Sequence, residues 1–251
     1  MPLTFAHPAV VLPFAKESKY VNFLALVLGS MAPDFEYFLR GMPSGALGHS
    51  FIGFICFNLP IVLIVYFIYL KCVHKTLFAH LPAILQLIPS EKVTANKGLQ
   101  VVVFLYSVLF GMLTHVIWDS FTHLNGVMVR KLSILTNTVS ILDMQIPIYK
   151  FLQHGSTLIG ITAIIGFMVY RAAKHRPNKA IVSSKQKWLY WSQITLLSLL
   201  LFCLWCIIVP IPITAYGILV VRIIDAACIS VLIVSLYYKY SRTKVQLQNN
   251  A

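Results

Sequence analysis

Imidazoles and carboxylates are the side chains best suited to hold a divalent ion or pass a proton, and both are scarce in this chain. Its 251 residues include 8 His and 7 Asp+Glu. His7, Asp34, Glu36, His49, His115, Asp119, His123, Asp143 and His154 all fall near the ends of apolar runs. His115 and Asp119 are four apart and share one face of a helix. If that helix runs on, His123 extends the stripe. Neutral imidazole and carboxylate are the ligands of zinc and of harder or redox-active divalent ions. A catalytic zinc keeps one position open and brings the pKa of bound water to about 7. The plainer alternative is a set of helix-end polar residues: His7 suits a helix entry, and Asp34 after Pro33 suits an N-cap.

The elements that position these residues follow from composition. Hydrophobic residues make up 59% and charged residues 11%, against about 25% charged in an ordinary soluble domain. Mean hydropathy is +0.81. This excludes a water-soluble globular enzyme and a disordered chain. Long unbroken apolar runs also exclude a β-barrel, whose strands alternate. The fold class expected is all-α, a polytopic helical membrane protein. Five strong transmembrane helices are expected at 50–70, 98–118, 151–170, 188–209 and 213–237. Pro33, Asp34 and Glu36 interrupt a sixth run at 21–39, which therefore reads as a short or re-entrant helical segment. Residues 77–88, with Pro82 and Pro89 nearby, read as an interfacial turn of helix.

The net charge of +13 sits mostly in segments 71–97, 171–187 and the C-terminal tail. Lys71, Lys75, Lys92, Lys97, Arg171, Lys174, Arg176, Lys179, Lys185 and Lys187 carry it there, with Lys239, Arg242 and Lys244. The positive-inside rule puts these in the cytoplasm and segments 1–49 and 119–150 outside. Membrane lipids, with anionic headgroups, are the expected partners, and nucleic acid is not. One integral-membrane domain is expected: an N-terminal segment (1–49), helices carrying the metal ligands (50–170), and a helical hairpin with a basic tail (171–251). His49 opens the first strong span, His115 and Asp119 close the second, and His154 opens the third. An up-and-down path therefore brings them to one membrane face, with Asp34 and His7 in the outward N-terminal segment.

Several residues need no site. The five cysteines lie in or beside apolar runs, so Cys203 and Cys206, though spaced CxxC, read as packing residues. Arg222 and Asp225, three apart in the last run, read as a neutralising pair that fixes helix docking. Tyr190, Trp191, Tyr237 and Tyr238 read as an interface belt, and His74, His80 and His175 as loop residues. Pro60 predicts a kink.

The segments Thr4-Phe5-Ala6-His7-Pro8, Gly29-Ser30-Met31-Ala32-Pro33-Asp34-Phe35-Glu36, Gly48-His49-Ser50, Thr114 to His123 and Gln153-His154-Gly155-Ser156-Thr157 resemble the bacterial family called domain of unknown function 4184. More distantly, the order His, Pro-Asp-x-acid, His-Ser, His-x-x-x-Asp is similar to membrane-bound metal-dependent hydrolases related to zinc-dependent phospholipase C. That resemblance implies a metal site of His7, Asp34, His49, His115 and Asp119; the helical stripe and the up-and-down path add His123 and His154 as additional candidates. Zinc is the first expectation for the ion, then manganese or magnesium. Glu36 and Asp34 are the implied catalytic carboxylates. The hydrolase pattern carries a further His and an Arg-Gly before its His-Ser, where this chain reads Met42 to Gly48.

The expected function is hydrolysis of a phosphoester at the membrane interface, a lipid headgroup or lipid-linked phosphate, in the bacterial cytoplasmic membrane with the site on its outward face. The alternative is a non-enzymatic membrane protein, a transporter, metal-binding sensor or scaffold, with a degenerate site.

Overall fold

A computed structural model describes residues 3–16, 18–86, 96–141, 143–174 and 181–249, with backbone alone beyond residue 241. Lys92, His175, Arg176 and Lys179 lie outside the described residues. So do the side chains of Arg242 and Lys244, and the last part of the 77–88 segment.

The protein is almost wholly helical. Among the described residues, five helices are long and apolar enough to cross a membrane: Phe51–His80, Lys97–Lys131, Ile148–Lys174, Ser184–Ile208 and Tyr216–Ser241. We call them the first to fifth spans. The second is continuous as α-helix over Lys97–Thr122. At 1.5 Å per residue those 26 residues reach about 39 Å, more than the roughly 30 Å of hydrocarbon. The interrupted N-terminal run is helical in pieces, Phe23–Met31 and Phe35–Arg40 joined by a 3-10 turn at Ala32–Asp34.

The chain divides into two compact units. The first holds residues 1–35, 46–62 and 89–171. Here the Phe23–Met31 helix packs on the second span, and the two backbones meet closely at Gly29 and Gly111. Gly29 faces the Val108 carbonyl, and a Cβ at Gly111 would collide with the Leu26 carbonyl and the Ser30 amide. Only glycine permits that approach. Asn22 caps the helix by accepting from the Ala25 amide, and its own amide donates to Ser107 on the span. A 3-10 helix, Thr4–Phe14, precedes it. The third span is tied in by Trp118 Nε1 donating to Ser156 Oγ and by the Leu3 amide donating to Thr157 Oγ1.

Between the second and third spans lies an element absent from the helical reading, an antiparallel hairpin of β1 (Thr138–Ile141) and β2 (Met144–Pro147). Asp143 at its turn has φ 65°, a conformation Asp tolerates better than most residues. Both strands alternate polar and apolar residues, the period of a strand with one apolar face.

The second unit holds residues 36–45, 63–88 and 172–251. Residues 77–80 are the last turn of the first span's helix, which runs unbroken through two π turns, Phe54–Asn58 and Tyr69–Val73, to His80. The first π turn directly precedes Pro60 and loosens the ladder where the proline ring would crowd a carbonyl.

His80 and Tyr190 are a buried pair, not a loop residue and a belt residue. Both have 0% exposure, their rings stack at 4.3 Å, and Tyr190 shares a hydrogen bond with Ser235. Arg222 and Asp225 do not neutralise each other. Arg222 Nη1 donates to the Val209 carbonyl at 2.7 Å and its guanidinium lies over Trp205, leaving Asp225 Oδ2 without a hydrogen-bond partner. The carbonyls at the end of the fourth span have no amides of their own to accept from, and the arginine meets one of them.

Candidate metal centre

Four stretches of the first unit deliver carboxylates and imidazoles to one place. In a 3-10 helix residues three apart eclipse, so Thr4 and His7 share a face. Thr4 and His7 are both buried. Thr4 Oγ1 donates to Asp34 Oδ2 at 2.6 Å, and His7 Nε2 lies 3.6 Å from Asp119 Oδ1. Asp34 follows Pro33 in the 3-10 turn and has 0% exposure.

His49 arrives on a loop. Gly48 passes so near the Pro33 carbonyl that no Cβ fits, and the buried Asn58 amide donates to the Gly48 carbonyl at 2.7 Å. Those contacts set His49 beside Asp34. His115 and Asp119 lie in the last two turns of the second span, on the face turned inward.

The group converges tightly. Asp34, His49, His115 and Asp119 each offer one ligand atom, all within 4.8 Å of one another. His115 Nε2 lies 3.3 Å from Asp119 Oδ2 and 3.6 Å from Asp34 Oδ1. His49 Nε2 lies 3.6 Å from Asp119 Oδ2 and 3.7 Å from Asp34 Oδ1. These separations are long for hydrogen bonds. The edge of a tetrahedron whose centre is about 2.0–2.1 Å from each corner is roughly 3.3–3.4 Å; the His115–Asp119 separation equals it and the other three exceed it by a few tenths of an ångström.

The outer contacts complete the case. His115 Nδ1 is 2.7 Å from the Ser30 carbonyl, which can only accept. The proton is therefore on Nδ1, and in the neutral ring the Nε2 lone pair faces the carboxylates. Thr4 holds one oxygen of Asp34, which leaves Oδ1 facing His49 and His115. His115 Nε2, Asp34 Oδ1, Asp119 Oδ1 and both nitrogens of His7 are buried without a hydrogen-bond partner. Orphaned polar atoms are costly singly; a shared cation satisfies several at once. The donor set thus fits a divalent ion.

Asp119 presents its two oxygens to two sets of imidazoles. Oδ2 faces His49 and His115; Oδ1 faces His7 and, at 3.5 Å, His123 Nδ1. The His7 ring stacks on His115 at 3.8 Å. Burial is the main force pushing the His7 pKa down, to about 3. His7 is therefore neutral at physiological pH.

The helix ends at Thr122, so His123 is its C-cap rather than one more turn of the stripe, yet its Nδ1 stays beside Asp119. The remaining candidates stand apart. Exposed His154 faces away on the third span, where the preceding Gln153 is the buried residue. Asp143 sits at the hairpin turn. Glu36 belongs to the second unit, and its Oε1 accepts from Arg40 Nε and Nη2 at 2.9 and 2.8 Å. Thr4 and the Ser30 carbonyl were not foreseen. Thr4 stands one 3-10 turn before His7, the only signal the sequence offered for it.

These features define an all-α polytopic chain, with helices fit to span a membrane and a buried carboxylate–imidazole group that could hold a metal ion. A sequence model of the family described as Domain of unknown function (DUF4184) matches residues 1–236. The chain belongs to that family. No curated protein and no solved structure matches it.

The Thr4–Asp34 contact carries a prediction. T4V removes the donor while keeping the shape, and should lower zinc affinity about 10–100-fold, the usual cost of losing an outer-shell partner. T4S should restore it. Competition against a chromophoric chelator reads both, and equal affinity in T4V and wild type would show that Thr4 does not orient Asp34.

Proposed function

We propose that the protein is a membrane-embedded, metal-dependent hydrolase of phosphoesters at the membrane interface, with a lipid headgroup or lipid-linked phosphate as substrate. The observation behind this reading is the convergence of orphaned imidazole nitrogens and carboxylate oxygens at the end of the second span. A lipid phosphate resides at that depth. His7, Asp34, His49, His115 and Asp119 hold the ion or ions, and His123 adds to the His7 side of Asp119. A divalent ion in this set supplies Lewis acidity toward a phosphoryl oxygen and lowers the pKa of a coordinated water.

The chain's own residues do the rest. Ser30 and Thr4 fix the ligands, and the buried walls limit entry of bulk water. Asp34, with Oδ2 tied to Thr4 and Oδ1 turned toward His49 and His115, is a ligand that orients the coordinated water. Glu36 accepts from Arg40 in the second unit and takes no part in this reading. The reading extends to the outward face of a bacterial cytoplasmic membrane and to zinc as the first choice of ion, by the distribution of basic residues and the His/Asp ligand set.

The test is turnover by protein reconstituted in vesicles containing phospholipids and lipid phosphates, with and without zinc or manganese. Zinc- or manganese-dependent release of headgroup or inorganic phosphate, absent in D34N, is expected. Metal bound in full with no turnover on any of these substrates would leave a metal-binding protein without hydrolase activity.

A further inference from the structure

Among the described residues, the hairpin between the second and third spans has one apolar face left largely uncovered, with Ile146 half-buried and its three partners on that face exposed. Its register pairs Val139 with Ile146 and Ile141 with Met144. Partners across a ladder share a face, so these four form one surface. Thr138, Ser140 and Gln145 occupy the other. Val139, Ile141 and Met144 are 43%, 41% and 56% exposed. Beside the hairpin, Leu132 and Ile134 are exposed as well. An isolated two-stranded hairpin is marginal in water, and its apolar face needs a cover.

The residues beneath it are differently arranged. Val129, Leu135 and Tyr149 form a closed small core with Phe121, Met128 and Ile148 packed against it. The connection between the spans is therefore a folded element with a satisfied inner side and an unsatisfied hairpin face.

Two observations say what covers that face. β2 ends at Pro147 and the third span begins at Ile148. The Ile148 amide donates to the Asn137 carbonyl at 2.9 Å, so the hairpin is fused to the first turn of the span. A 27-residue span reaches about 40 Å, so its first turn lies where the helix leaves hydrocarbon. The hairpin is consequently held at the headgroup level. Arg130, Lys131 and Lys150 flank it, against Asp143 alone of opposite sign, a balance that suits anionic headgroups.

We infer that this hairpin is a monotopic membrane contact: its Val139–Ile141–Met144–Ile146 face beds in the acyl boundary of an anionic leaflet, with its polar face toward water. This rests on the surface alone and stands whether or not the protein is a hydrolase. It places an ordered lipid contact beside the span whose partner carries the metal centre, in the same unit.

The test uses the full chain in nanodiscs of phosphatidylglycerol and phosphatidylcholine, one copy per disc. M144W and S140W place an indole on opposite faces, with the wild-type signal of the four native Trp subtracted. The M144W signal should be quenched by lipids spin-labelled near the headgroup. Its iodide quenching should be at least about threefold weaker than that of S140W, as for a face buried 5–10 Å into the interface. Equal iodide access at both positions would overturn the inference. So would an M144W signal shielded from iodide yet unreached by spin-labelled lipid, which would mark a protein surface as the cover. A melting temperature within about 2 °C of wild type shows that either variant remains folded.

Discussion

Detergent-purified wild type offered zinc or manganese will carry about one equivalent of metal, and H115A/D119A will carry none. The double substitution removes two of the four ligand atoms gathered within 4.8 Å. It also removes the carboxylate that faces both histidine sets. Neither remaining ligand can compensate, because Asp34 has one oxygen committed to Thr4 and His49 stands on a loop.

The same ion should stabilise the fold. Asp34 and Asp119 are buried carboxylates, and a buried charge without a counter-charge is expensive. A ligand that binds only the native state stabilises by about 2.7 kcal/mol at a hundredfold excess over Kd. Chelation should therefore lower the melting temperature of wild type and leave that of H115A/D119A unchanged. Mass-spectrometric metal content beside a thermal melt reads both effects. A wild type that stays empty after metal is offered, or a double variant that keeps its metal, would remove the metal centre from consideration.

G111A, which touches no ligand, should weaken metal binding at least about tenfold and destabilise the protein by roughly 1–3 kcal/mol, the usual cost of overpacking. Gly111 and His115 are four apart and share one face of the second span. On that face a Cβ at 111 would strike the Leu26 carbonyl and lie 2.6 Å from the Ser30 amide. The Phe23–Met31 helix must then retreat. Its retreat carries away the Ser30 carbonyl that holds His115 Nδ1 at 2.7 Å. It also disturbs the turn that bears Asp34. G166A is the control, since a Cβ at that helical glycine meets nothing within 4 Å. Zinc competition and a melt on both variants decide the matter. G111A binding zinc as wild type does would show that the close helix contact is not what positions the imidazole.

Much of this protein was legible from its residues. Composition alone required helices that satisfy their own backbones in lipid, and the five spans fall where the apolar runs lie, with their ends moved by a few to about ten residues. The pairing of His115 with Asp119 followed from a spacing of four. His49 and Asp34 were expected at the same place because apolar runs on either side fix where the chain must turn. These features depend on hydrophobicity and helical period, which are local.

Other features depended on which surfaces meet. Gln153 rather than His154 turns inward, and Arg222 seeks the Val209 carbonyl rather than Asp225, because packing sets the helix rotation and no sequence spacing encodes it. His80 and Tyr190 form a buried stack, although each alone suits a loop or an interface. The hairpin was hidden because four-residue strands are too short to stand out beside spans of more than twenty. The clearest case is the carboxylate–imidazole cluster that could hold a metal ion. The sequence supplied its imidazoles and carboxylates and the membrane face they share. The tertiary structure alone decided which lone pairs face inward. That choice is made by a threonine hydroxyl, a serine carbonyl and two glycine-permitted backbone contacts, all between segments distant in the chain.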